Sequence, residues 1–373
     1  MLNRTVRVAQ KEEIQREIVS ALPKQTLRQH STATGIALVF ALIQSHIISL
    51  EFKLSGYSAS VNIAFGVVTG HPYYKEYQNR ILGPYIVLAI SKITHSYLNA
   101  HFILGLIAMT VAGYLSWQLG LRIGGDIKAS VVAFLALQFG FCYLLCPPWL
   151  YTWDYLGLVI FLVFLLMVVD QKSWQWFFGL FVFAILNRES GEFIAVWMIF
   201  DPFAKAFFAR SGVERSIVNW RMVIAGVCCL ISGIAVVEFL RAHLTIEEMA
   251  PLLDPGSSGH QTGLGELLLQ MRWNISEIRE ALHTVRNGFE APMLIFPLAA
   301  IYYSIRLALR EPGRWLGISL VMLTNLAAIF LVGNVLETRI YLELLPFVVL
   351  GILVSIGEPA MAKNREKIGM PQI

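Results

Sequence analysis

Charged residues gather in a few short stretches of an otherwise apolar chain. They are Glu76 and Arg80, with the polar Asn79 between them, in HPYYKEYQNRILGP, Asp154 in PPWLYTWDYLG, Arg188, Glu189 and Glu192 in NRESGE, and Glu337, Arg339 and Glu343 in ETRIYLELLP. Arginine grips phosphate oxygens through two parallel N–H bonds, which a point charge on lysine does not reproduce. A carboxylate beside such arginines supplies a base for a hydroxyl that loses its proton as it attacks. Arg80, Arg188 and Arg339 are therefore read as phosphate ligands and Glu76 or Asp154 as the base. Glu189 and Glu337 are read as orienting those arginines or binding acceptor hydroxyls.

Each residue also has a plainer reading. Acids suit helix starts, so Glu189 and Glu192, one turn apart, fit a solvated N-terminal turn, and Asp154 fits a helix cap. Glu337 with Arg339 fits an interfacial ion pair, and Glu76 with Arg80 at i, i+4 fits an intrahelical one. Glu51 and Lys53 read as the end of the first apolar run. What separates the two readings is whether the stretches face one compartment, and that depends on the elements that carry them.

The 373 residues are 56% hydrophobic and 14% charged, with a mean hydropathy of +0.62. So little charge excludes an ordinary soluble domain and defines an all-α polytopic membrane protein. The net charge of +4 lies in short tracts between apolar runs rather than in one basic stripe, so it sets topology and implies no nucleic acid. The four cysteines show no disulfide or metal spacing, and no H-E-x-x-H motif marks a zinc site.

Helices that cross a bilayer need about 20 apolar residues, or somewhat fewer inside a bundle. Ten spans are predicted: 33–50, 98–119, 129–146, 155–169, 174–187, 192–209, 222–240, 290–307, 315–333 and 340–357. Residues 81–93 are short and contain Gly83 and Pro84. Leaving them as an interfacial or half-inserted helix puts 19 of the 29 Lys and Arg on the inner side, against 16 if they span. The positive-inside rule therefore favours ten spans with both termini cytoplasmic, in a bacterial inner membrane. The N-tail 1–32 then carries a surface helix in KEEIQREIVSAL, the transmembrane domain runs over 33–357, and 358–373 form the C-tail. Outer loops cover 51–97 and 241–289.

In the second outer loop Leu268, Met271, Ile275, Ile278, Leu282 and Val285 define one face of an amphipathic helix, lying on the membrane or lidding a site. Asn274-Ile-Ser276 is a glycosylation sequon, and Trp149, Tyr151 and Trp153 suit an interfacial belt or a stacking surface. His71 and His260 read as outer surface groups. In this topology all four charged stretches reach the outer face. Three lie at helix starts, where unpaired N–H groups attract anions.

The arrangement resembles the GT-C superfamily of polytopic glycosyltransferases. The resemblance rests on an outer loop leading into NRILGP, an acid opening a helix in CPPWLYTWDYLGL, the turn NRES and the late ETRIYLELLP. It implies sugar transfer from a polyprenyl-phosphate donor, a membrane lipid, to a glycan, lipid or protein acceptor on the periplasmic or lumenal side. It also implies a first-loop carboxylate serving as base or metal partner. The first outer loop here has no Asp, leaving Glu51 and Glu76 as its acids, and no ligand motif supports a divalent metal. Two other classes fit the outer arginines: a transporter of lipid-linked oligosaccharides or anions, and a noncatalytic subunit of an envelope-polysaccharide assembly.

Overall fold

The computed structural model describes residues 27–55, 57–145, 150–209, 218–249, 264–284 and 291–356. The N-terminal KEEIQREIVSAL segment, the C-tail, Trp149 and His260 lie outside them. The described residues are 88% helical and contain no strand. The helices are α1 (Leu27–Ser55), α2 (Tyr57–Thr69), α3 (Leu82–Thr94), α4 (Tyr97–Gly124), α5 (Ile127–Leu144), α6 (Thr152–Val169), α7 (Trp174–Asn187), α8 (Glu192–Ala209), α9 (Trp220–Leu244), α10 (Leu264–Thr284), α11 (Ala291–Arg310), α12 (Pro312–Val332) and α13 (Leu345–Ile356).

Among the described residues each of the ten expected spans is helical, and seven helices are long and apolar enough to cross a membrane: α1, α4, α5, α6, α9, α11 and α12. α8 has 18 residues but carries Glu192, Asp201 and Lys205, while α7 and α13 have 14 and 12 residues. The last helix starts at Leu345 rather than 340, because Thr338–Glu343 winds as a 3-10 segment.

The stretch expected as the first outer loop is largely helical. α1 continues to Ser55, and two 13-residue helices follow. Tyr57–Thr69 contains no charge and no Pro, so its apolar residues pack as α2 against α3 and α4. At 1.5 Å per residue α3 is about 20 Å long, less than the roughly 30 Å hydrocarbon core. Its first turn touches the N-terminal ends of both neighbours: Tyr97 Oη donates to the Pro84 carbonyl at 3.3 Å, and a Cβ on Gly83 would lie 2.6 Å from Thr152 Oγ1.

Sharp turns align the bundle. α4 ends at Gly125, whose φ of 73° is in the left-handed region that glycine adopts without strain. The next residue, Asp126, caps α5 by accepting from Ala129 N at 2.7 Å. α6 is central, with twelve of its 18 residues buried, against six of 25 in α9 at the edge. Large aromatics fill the space around it, with Phe161, Phe164, Phe177, Trp197 and Phe347 all buried.

α10 runs through the predicted apolar stripe, whose Val285 lies outside the described residues, but is rotated about its axis: Asn274 and Ala281 are buried with Ile278 packed beside them, while Ile275 and Leu282 are exposed. The reason is a polar anchor: Asn274 Nδ2 donates to the Phe330 carbonyl at 2.7 Å and the Gly333 carbonyl at 2.9 Å, and Oδ1 accepts from Val335 N at 3.3 Å. These bonds satisfy carbonyls left open at the end of α12. They also bury the sequon amide, which leaves it unable to accept a glycan.

Candidate functional site

The charged stretches converge at one end of the bundle because each sits where a helix starts or stops there. Asp154 is in the first turn of α6, Arg188 follows α7, Glu189 lies in the 3-10 turn before α8, and Glu337 and Arg339 follow α12. The segment carrying Glu76 and Arg80 is stitched to the chain after α9: Ile246 N donates to the Gly70 carbonyl at 2.7 Å and Met249 N to the Pro72 carbonyl at 3.0 Å. Gly191 lets the turn at Glu189 press on α7. A Cβ there would come within 2.6 Å of the Ala184 and Ile185 backbone.

Together these pieces enclose a cavity of about 700 Å³. Glu76, Arg80, Arg188, Glu189, Glu337 and Arg339 line it, along with Ser190, Arg241 and Glu343. Apolar side chains complete the lining, Phe193, Trp273 of α10, and Ala328, Ile329 and Val332 of α12, with Gln270, Asn325 and Asn334 among them.

Asp154 stands behind this lining, with no exposed side-chain surface. Its Oδ2 accepts from Tyr151 N at 2.9 Å, the cap expected of an acid in a first turn. The same carboxylate holds Arg188 through Oδ1 at 3.4 Å and Arg339 through Oδ2 at 3.1 Å. Arg188 continues to Glu343 Oε1 at 3.4 Å, and Arg339 to Glu337. A row of alternating charge thus runs Glu337, Arg339, Asp154, Arg188, Glu343. Tyr151 and Trp153 are buried rather than set in an interfacial belt. Tyr151 lies 4.3 Å beneath the Arg339 guanidinium, and Trp153 lies 5.3 Å from that of Arg80.

Glu189 is a second hub. Arg80 Nε lies 3.4 Å from Oε2, Arg241 binds Oε1, and Asn79, with its amide turned so that both its groups are satisfied, donates from Nδ2 to Oε1 at 3.1 Å. The i, i+4 pairing of Glu76 with Arg80 does not form, because residues 75–77 make a single 3-10 turn and Arg80 turns to Glu189. Glu76 makes no ion pair among the described residues, and neither do the terminal nitrogens of Arg80 or Nη2 of Arg188. Arg339, 3% exposed, has both terminal nitrogens bound to carboxylates, and Arg241 is shared between Glu189 and Glu238.

Burial and neighbouring charge set the protonation of the hub groups. Burial tends to raise Glu189, but Arg80, Arg241 and Arg188 outweigh it and hold the carboxyl below its ordinary value. For Glu343 burial wins over Arg188 and the Ser190 hydroxyl, which donates at 2.8 Å, and the carboxyl is raised. Burial opposes the charge on Arg339, yet Asp154 and Glu337 hold its guanidinium above its usual value.

The sequence reading did not single out Arg241. Its signal was an arginine at the expected outer end of a span, where the positive-inside rule disfavours one. Gln270, Trp273 and Asn325 of the cavity wall carried no comparable signal. Among the described residues no three His, Cys, Asp or Glu side chains gather as metal ligands.

Fold and site thus define a helical integral membrane protein with a cavity at one end, lined by arginines and carboxylates together with apolar residues of α8, α10 and α12. The chain matches no protein-family model, no curated protein and no solved structure.

Proposed function

We propose that this protein is a GT-C-like glycosyltransferase with ten spans, moving a sugar from a polyprenyl-phosphate donor to a hydroxyl of a glycan, lipid or protein acceptor at the outer face of a bacterial inner membrane. One observation carries the reading: Glu76, free of ion pairs, lines the same cavity as Arg80 and Arg188, whose remaining N–H groups are unspent. Glu76 takes the proton of the acceptor hydroxyl as its oxygen bonds to the anomeric carbon. The bond from that carbon to the phosphate oxygen breaks, and the phosphate leaves with the electron pair against Arg80 and Arg188. Asp154, closed from solvent and bound on both oxygens, positions Arg188 and Arg339 instead of acting as base. The apolar side chains of the lining suit the donor's hydrocarbon.

The test is turnover of a synthetic polyprenyl-phosphate sugar by the purified protein in nanodiscs. Glu76→Gln should lower the rate by at least about 10²-fold with donor binding and melting temperature unchanged. A wild-type rate in that variant overturns the base assignment.

A further inference from the structure

The two flanks of α10 carry different chemistry. Counting about 100° per residue from buried Asn274, Leu282 and Ile275 fall at about 80° and 100°, and Arg279 and Arg272 at about 140° and 160°. All four are exposed, and neither arginine has an ion pair among the described residues. Glu277, Trp273 and Glu280 fall on the other flank, where Trp273 lines the cavity. Exposed apolar side chains bordered by two unpaired cations, with no acid on the same arc, match hydrocarbon edged by anions. The contacts of α10 hold it where such a surface lies. Gln270 Nε2 donates to the Gly333 carbonyl at 3.0 Å, Asn274 Nδ2 to the carbonyls of Phe330 and Gly333, and Ile278 and Ala281 pack with Met293, Val335 and Leu336. Met293 stands at the start of α11 and Phe330 at the end of α12. From Gln270 to Ala281, about 16 Å of helix, α10 therefore crosses the ends of two helices long enough to span the bilayer instead of running down beside them.

We propose that α10 docks on the bilayer surface at this end of the bundle, with Ile275 and Leu282 among the acyl chains and Arg272 and Arg279 against the phosphates of anionic phospholipids. One helix then meets the membrane with one flank and the cavity with the other, so the lipid surface holds Trp273 in the cavity lining. This goes beyond the transferase reading and does not depend on it.

Spin labels read the depth of α10 without substrate, in full-length protein reconstituted in nanodiscs with its four native cysteines replaced by alanine. Labels on Ile275→Cys and Leu282→Cys should be relaxed more by oxygen, which concentrates in hydrocarbon, than by a water-soluble nickel chelate. A label on exposed Ser276→Cys, at about 200°, should show the reverse. Exchanging phosphatidylcholine for phosphatidylglycerol should sink the Ile275 label deeper, and adding Arg272→Gln and Arg279→Gln should abolish that shift. Labels on Ile275 and Leu282 as wet as the one on Ser276 overturn the docking. Equal depth in the two lipids, or a shift that survives the arginine changes, overturns the anionic contact. Native mass spectrometry in equimolar phosphatidylglycerol and phosphatidylcholine repeats the test with the native cysteines in place: the double arginine variant should retain roughly two- to tenfold less phosphatidylglycerol than the wild type, and equal retention overturns the contact.

Discussion

Asp154 and Arg339 meet at 3.1 Å with almost no solvent access to either side chain, 185 residues apart in sequence. This pair, extended through Arg188, ties α6, the turn after α7 and the segment after α12 into one wall of the cavity. Removing one partner from a buried pair leaves an uncompensated charge, a larger loss than the pair's own net contribution.

Asp154→Asn should therefore destabilise the fold by roughly 3 to 5 kcal/mol, seen as a clear drop in melting temperature in detergent. Glu76→Gln, at a half-buried residue with no ion pair, should melt like the wild type. An Asp154→Asn protein with an unchanged melting temperature would show that the clamp does not hold the wall.

Arg80→Lys and Arg188→Lys keep the charge but lose the planar fork. Each should weaken binding of undecaprenyl phosphate by roughly 1 to 3 kcal/mol, measured by titration into nanodiscs. Arg339→Lys should act mainly through stability, because its terminal nitrogens are already taken by Asp154 and Glu337. Wild-type affinity in both the Arg80 and Arg188 variants would remove the phosphate role.

The carboxyl of Glu189 is held below its ordinary value of 4.5, burial being outweighed by Arg80, Arg241 and Arg188. A depressed carboxyl stabilises the fold fully above that ordinary value and loses its contribution as pH falls through the lower folded one. The gap in melting temperature between wild type and Glu189→Gln should be widest near neutral pH and shrink below about pH 4.5. Glu343, raised by burial, has the opposite sign, its contribution fading as pH rises from 4.5 through its folded value. A gap independent of pH would contradict the Glu189 assignment.

In the proposed ten-span topology 19 of the 29 basic residues face inward, which predicts cytoplasmic termini. In intact cells, cysteine placed at exposed Lys75 should react with an impermeant maleimide. Cysteine placed at exposed Lys128 or Lys172 should react only after permeabilisation. The reverse pattern would invert the orientation.

The helical class and the helix at each expected span were legible in the sequence, because hydrocarbon length and the need to satisfy backbone groups leave few solutions. So was the gathering of Glu76, Arg188, Glu189 and Arg339 at one end, since charge is expelled to helix ends and topology assigns those ends to a side. Which charges are spent was not legible. That Arg80 turns from Glu76 to Glu189 and that Asp154 is sealed between two arginines both depend on contacts between helices distant in sequence. α2 was read as loop because Ser, Asn and Gly break up its short apolar run, and α10 turned Asn274 inward because open carbonyls at the end of α12 outweighed its apolar stripe. Apolar period and chain length are local properties a sequence carries, whereas the pairing of one carboxylate with one arginine is decided only when packing brings them within reach and closes out water.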